Sequence, residues 1–190
     1  MGKQQFQTLR GMYDLLPEQS ATYDYLTGAF RAVAESAGYG RIETPLLEDA
    51  ALFERGVGLD TDAVSKEMYA FADRSDHKVA LRPEFTAGIV RSFIEHGMNS
   101  RPQPVKLYTY GPLFRYDRPQ AGRQRQFNQV NAEVIGDAAP SVDAQAIVLA
   151  LRFYRRIRLG GVTLQLNSIG DSACRPKYKK ALTEYLEAIV

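Results

Sequence analysis

Two long strand-like runs lying close together constrain this chain more than any other feature. Val105 to Tyr116 and Arg125 to Ile135 are joined by Arg118-Pro119-Gln120-Ala121-Gly122. Polar and turn-forming residues between two such runs predict an antiparallel hairpin. In a strand, alternate side chains share a face. Arg115 and Asp117 therefore share one face of the first arm. On the return arm Gln129, Asn131 and Glu133 point opposite to Val130, Ala132 and Val134. One face is apolar; the other carries two amides and a carboxylate. That polar face suits a wet outer surface, and it also suits a bound polar ligand, because asparagine is depleted in ordinary strands. The loop adds Arg118, Arg123 and Arg125, forked donors that match phosphate oxygens. A nucleoside triphosphate is a reasonable occupant of such a hairpin.

The flanking sequence predicts helices and shorter strands. From Glu18 to Ala37, Leu26, Phe30, Val33 and Ala37 recur at three- and four-residue steps, as on an amphipathic helix. Gly38 and Gly40 stop it. Arg41 to Pro45 reads as a short strand closed by a residue with no N–H to give. Residues 46–64 are mixed, with Gly56 and Gly58 suggesting a loop. Met68 to Ala72 and Lys78 to Leu81 form a second predicted hairpin. Glu84 to His96 and Val142 to Ile157 carry helical periodicity, Val162 to Asn167 alternates like a strand, and a helix starts at Pro176. The expected class is α+β, a mainly antiparallel sheet flanked by helices. All 190 residues are expected to form a single domain.

Composition narrows the function classes. Apolar residues are 45% and charged residues 24%, ordinary for a globular protein. No apolar run of about 18 residues exists, so no membrane partner is expected. Cys174 is the only cysteine, which excludes an internal disulfide and suits a reducing cytoplasm. His77 and His96 are the only histidines, and no metal site of protein origin is expected. A net charge of +2 is too small to announce nucleic-acid binding by itself, although Arg152, Arg155, Arg156 and Arg158 form a second basic cluster.

The segment Phe114 to Gly136 closely resembles motif 2 of class II aminoacyl-tRNA synthetases, in the form used by histidyl-tRNA synthetases. Phe-Arg, Arg-Pro-Gln-Ala-Gly-Arg, Phe-x-Gln and Glu-Val-x-Gly appear in order. Arg10 to Pro17 is similar to that family's opening motif. Tyr39 to Pro45, with the preceding helix, looks like motif 1, which supports the dimer interface in this class. Leu81 to Ala87 resembles the amino-acid-binding loop, and Leu166 to Gly170 with Cys174-Arg175-Pro176 resembles a later family segment.

The resemblance implies a class II catalytic domain containing motifs 1 and 2, with motif 3 and the anticodon-binding domain falling beyond residue 190. It implies histidine activation by ATP, with Mg2+ carried by the nucleotide, and transfer to tRNA(His) by a cytoplasmic homodimer. Arg115 is then the catalytic residue, at the α-phosphate. Asp117 and Arg123 join Arg115 in binding ATP, and Glu84, Thr86, Gln129 and Glu133 surround L-histidine. No protein nucleophile is required, because the substrate carboxylate attacks. Glu84 has a second reading as the acid at a helix N-terminus. Four positions depart from the family pattern: Asp117 for the usual Glu, Phe85 for a typically small residue, Asn128 for a common His, and Tyr13 for a common basic residue. With the last helix running to the end without a stop signal, low or no activity is expected of these residues alone. One alternative is the regulatory subunit of ATP phosphoribosyltransferase, a histidine-binding paralogue that charges no tRNA. The other is a dimerisation module.

Overall fold

A computed structural model describes residues 6–56, 67–168 and 170–189. The chain divides into two compact units after Arg158. In the first unit, helix α1 spans Pro17–Ser36. Proline suits the first turn, where its missing N–H has no partner to lose. Strands β1 (Gly40–Arg41) and β2 (Leu47–Asp49) follow, then helix α2 (Ala50–Gly56). Strands β3 (Ala70–Ala72) and β4 (Lys78–Leu81) lead to helix α3 (Thr86–Glu95). A single 3-10 turn, Met98–Ser100, precedes the long strands β5 (Val105–Phe114) and β6 (Gln126–Ile135), and helix α4 (Pro140–Arg156) closes the unit.

Two three-stranded sheets result, ordered β1-β5-β6 and β2-β4-β3. All pairings are antiparallel except β1 with β5. The long hairpin pairs Val105 with Ile135 and runs without slippage to Phe114 with Gln126. Its two faces bury different things. Tyr108, Tyr110, Val130, Ala132 and Val134 pack against Phe30, Val33 and Ala34 of α1 and Leu149 and Phe153 of α4. On the other face Leu107, Leu113 and Phe127 meet Phe85, Ile89 and Phe93 at helix α3. That second face is apolar at both ends and polar between them, where Gln129, Asn131 and Glu133 lie.

Two elements differ from the sequence expectation. The strand expected over Arg41 to Pro45 ends early: Gly40 and Arg41 pair with Leu107 and Tyr108, and Thr44 turns inward. The Thr44 carbonyl is taken by the Arg82 side chain at 2.8 Å, so it does not extend the ladder. Residues 47–56, within the stretch expected as loop, form β2 and α2. The Asp49 carboxylate starts that helix by accepting from the Ala51 N–H at 2.8 Å. The remainder of that expected loop, with Gly58, lies outside the described residues.

The second unit contains helix α5, Arg175–Glu187. Asp171 Oδ1 accepts from the N–H groups of Ala173 and Cys174 at 2.9 and 2.8 Å and starts the turn that leads into it. The strand expected over Val162 to Asn167 does not form. Its alternation is real, but a strand needs a neighbour for its N–H and C=O groups. Among the described residues none pairs with it.

Candidate functional site

The polar middle of the hairpin faces the N-terminus of α3, and the connection from β4 into α3 supplies the other half of the site. Glu84 lies in that connection. Its Oε1 accepts from the Ala87 N–H at 2.8 Å, and its Oε2 accepts from the Thr86 N–H. The carboxylate therefore satisfies two of the orphan donors at the helix start and complements the helix dipole. The helix-end reading of Glu84 holds. Each oxygen keeps a further lone pair for a ligand.

Glu133 sits across from it on β6. The Thr86 hydroxyl donates to Glu133 Oε1 at 2.6 Å, and Asn131 Nδ2 donates to the same oxygen at 3.2 Å. No described residue hydrogen-bonds Oε2. One oxygen is thus anchored by two donors, while the other has no partner among the described residues. Asn131 Oδ1 is buried without a partner among the described residues. Gln129 is exposed and lies opposite Gly111, so the expected amide is presented on the same face.

Arg115 follows β5 directly. Its main-chain N–H continues the hairpin by donating to the Arg125 carbonyl at 2.9 Å. Its Nε donates to the Pro83 carbonyl at 2.9 Å, and its guanidinium lies 5.2 Å from the centre of the Phe127 ring. With Nε held by backbone, the two terminal amino groups have no described partner. Asp117 and Arg123 are brought together: Arg123 Nη1 lies 2.8 Å from Asp117 Oδ2. Two residues expected to meet ATP thus meet each other.

Several participants escaped the sequence reading. Arg10 opens the family-like segment Arg10 to Pro17, and its spacing assigns it no contact. Its neighbour Gly11 accepts through its carbonyl from the N–H groups of Arg125 and Gln126, at 2.8 and 3.1 Å. This lays the leader across the loop end of the hairpin. Arg10 then joins Arg118, Arg125, Tyr116 and Asp117 around a cavity of about 360 Å³. The Arg125 guanidinium stacks 3.7 Å from the Tyr116 ring centre, which fixes its plane. Asn128 Nδ2 donates to the Tyr13 hydroxyl at 2.8 Å, so two positions that depart from the family pattern are bonded to each other. Arg82 is only 4% exposed, and burial holds its pKa below the usual arginine value, partly offset by Glu43 and Glu48. Tyr39 is held above the usual tyrosine value, first by burial and then by the negative charge of Glu133. Among the described residues no three His, Cys, Asp or Glu side chains are grouped to hold a metal, and no helix is long and apolar enough to cross a membrane.

The chain is similar to known proteins over most of its length. Residues 11–171 match the family described as histidyl-tRNA synthetase. A histidine–tRNA ligase of Mycolicibacterium vanbaalenii is 51% identical over 95% of this chain, and one of Mycobacterium tuberculosis strain H37Rv is 50% identical over the same share. The chain spans 43% of the length of each. Among solved structures, apo S. aureus histidyl-tRNA synthetase superposes with a TM-score of 0.78 at 38% identity, over 97% of this chain and 43% of that one. A Bacillus halodurans protein named as an ATP phosphoribosyltransferase regulatory subunit/histidyl-tRNA synthetase gives 0.70 at 28% identity, over 82% and 39%.

Proposed function

This chain belongs to the histidyl-tRNA synthetase family, and on that basis we propose that it supplies the ATP- and histidine-holding part of a histidine–tRNA ligase. Glu133 carries the proposal: one carboxylate oxygen is fixed by Thr86 and Asn131, and the other is left available. A carboxylate held in this way suits the α-ammonium of a free amino acid. Glu84 and Gln129 flank it, and Thr86 acts both as a histidine neighbour and as the group that orients Glu133.

Activation proceeds by attack of the histidine carboxylate on the α-phosphorus of ATP. The new bond is carboxylate oxygen to phosphorus; the bond that breaks releases pyrophosphate. Protein groups contribute position and charge rather than covalent chemistry. Arg115, held at Nε by the Pro83 carbonyl, turns its free amino groups to the negative charge that grows at the α-phosphate. Asp117 and Arg123 part from each other when ATP enters, and Arg123 turns to the terminal phosphates. Mg2+ arrives on the nucleotide. The cavity lined by Arg10, Arg118 and Arg125 suits further phosphate oxygens, including those of tRNA(His). A homodimer through Tyr39 to Pro45 and α1, working in the cytoplasm, completes the proposal.

Histidine-dependent ATP–pyrophosphate exchange tests it. Exchange by this chain is expected far below that of a longer relative and lost in Arg115→Ala. Exchange that survives this substitution unchanged would overturn the site. The name of the Bacillus halodurans neighbour supports a second reading, histidine sensing without catalysis. Histidine binding with no ATP affinity would favour that reading over the first.

A further inference from the structure

Arg82 carries a full charge into the interior with no described carboxylate hydrogen-bonded to it. Its Nη1 donates to the Thr44 carbonyl at 2.8 Å and its Nε to the Pro112 carbonyl at 3.0 Å. Its guanidinium lies 4.6 Å from the Phe85 ring centre. Its own N–H donates to the Leu46 carbonyl at 2.9 Å, and its carbonyl accepts from Phe114 at 3.1 Å. The fold makes room for it. Gly111 adopts a φ of +151°, and a side chain there would start 3.1 Å from Arg82 Nη2. Burying a guanidinium with two carbonyls and an aromatic ring as its direct partners, offset only in part by the charges of Glu43 and Glu48, is expensive, and a methionine of similar length would pack at lower cost. The charge must serve geometry.

Only a rigid fork reaches two carbonyls on different elements at once. One belongs to the turn after β1, the other to the end of β5. The next residue is Pro83, whose ring fixes its own φ and passes orientation on with little slack. Its carbonyl is the one that accepts from Arg115 Nε. The residue after that, Glu84, starts α3.

We infer that Arg82 is a positioning residue: its clamp on the Thr44 and Pro112 carbonyls fixes the Pro83 carbonyl that aims Arg115, and so ties the turn after β1 to the ATP end of the site. Only the mention of ATP rests on the function proposed above.

The test follows the Arg115 Nε–H by NMR hydrogen exchange in the 190-residue chain. Arg82→Met is expected to speed that exchange about tenfold, the worth of one hydrogen bond, while the Tyr108 and Asn131 amides in the hairpin stay protected. Arg82→Lys keeps the charge but cannot span both carbonyls, and it is expected to restore only part of the protection. Unchanged Arg115 exchange in Arg82→Met would overturn the inference. So would loss of hairpin protection in both variants, since Arg82 would then act on the whole fold. Calorimetry with ATP adds a second arm. Arg82→Met is expected to weaken ATP binding in the parent and to have no further effect in Arg115→Ala. Equal losses in both backgrounds would overturn the positioning role. If the parent binds no ATP, the function proposed above fails, and the exchange measurement still decides Arg82.

Discussion

The Thr86 hydroxyl and the Glu133 carboxylate meet at 2.6 Å, joining the start of α3 to the middle of β6 across 47 residues of sequence. Because Asn131 donates to the same oxygen, Glu133 is fixed by its two neighbours before any ligand arrives. Removing the hydroxyl leaves Asn131 as the sole anchor. Thr86→Val keeps the shape and deletes the donor. Hydrogen bonds to charged groups contribute about 1.5–3 kcal/mol, and solvent at this exposed threonine reduces that. Histidine affinity, by calorimetry, is expected to fall about tenfold, with ATP affinity and thermal midpoint little changed. An equal loss for both ligands would place Thr86 outside the histidine end.

The Tyr13–Asn128 hydrogen bond joins the leader to the outer part of β6, 115 residues apart. Each residue departs from the family pattern, and each is the other's partner. A double-mutant cycle with Tyr13→Phe and Asn128→Ala is expected to give a coupling of about 0.5–1 kcal/mol, the range of a neutral, partly exposed hydrogen bond. Urea denaturation measures it. A coupling near zero would mean that the two departures are independent.

The hairpin was readable in the sequence because its period of two persists over both arms. The polar triplet Gln129, Asn131 and Glu133 emerges on one face as the alternation requires. Helices α1, α3 and α4 followed from apolar spacing for the same reason. What sequence did not disclose depends on distant partners. Nothing in Leu-Arg-Pro marks Arg82 as buried; its burial comes from carbonyls at Thr44 and Pro112. Nor does the leader show that Gly11 will receive two N–H groups from β6 and its approach. Val162, Leu164 and Leu166 alternate correctly, yet they are 43%, 53% and 78% exposed. Alternation marks a chain ready to be a strand, and only a neighbour makes it one.

Gly11 has a φ of +83°, and a Cβ there would start 2.8 Å from Arg125 Cγ. Both terms act against any side chain: the left-handed backbone disfavours it, and the inner part of the Arg125 side chain cannot swing clear as its tip could. Gly11→Ala is expected to lift the leader from the loop end of the hairpin. The readout is amide exchange at Arg125 and Gln126, whose N–H groups lose the Gly11 carbonyl. Local protection should fall by about 1–2 kcal/mol, while the Tyr108 amide is unaffected. Arg10 would leave the basic cavity with it, so the same variant should weaken pyrophosphate binding. Retained protection at both amides would show that the leader tolerates the side chain.

Alkaline pH probes the opposite face of the hairpin. Tyr108 is fully buried, and its hydroxyl donates to Glu35 at 3.0 Å. Burial first, then the Glu35 hydrogen bond and charge, hold its pKa above the usual 10.0. Burial raises Tyr39 and Tyr23 in the same direction. Above pH 10 the unfolded chain loses these protons while the folded chain keeps them, so the folded state binds more protons and stability falls as pH rises. The contribution is full below the unfolded value of 10.0 and is lost progressively as pH climbs through the higher folded values. Tyr108→Phe removes both the ionisable group and the Glu35 bond. It should cost stability at pH 7, by urea midpoint, and show a shallower decline between pH 10 and pH 11 than the parent. An identical decline in both would assign the alkaline loss to Tyr39 and Tyr23 instead.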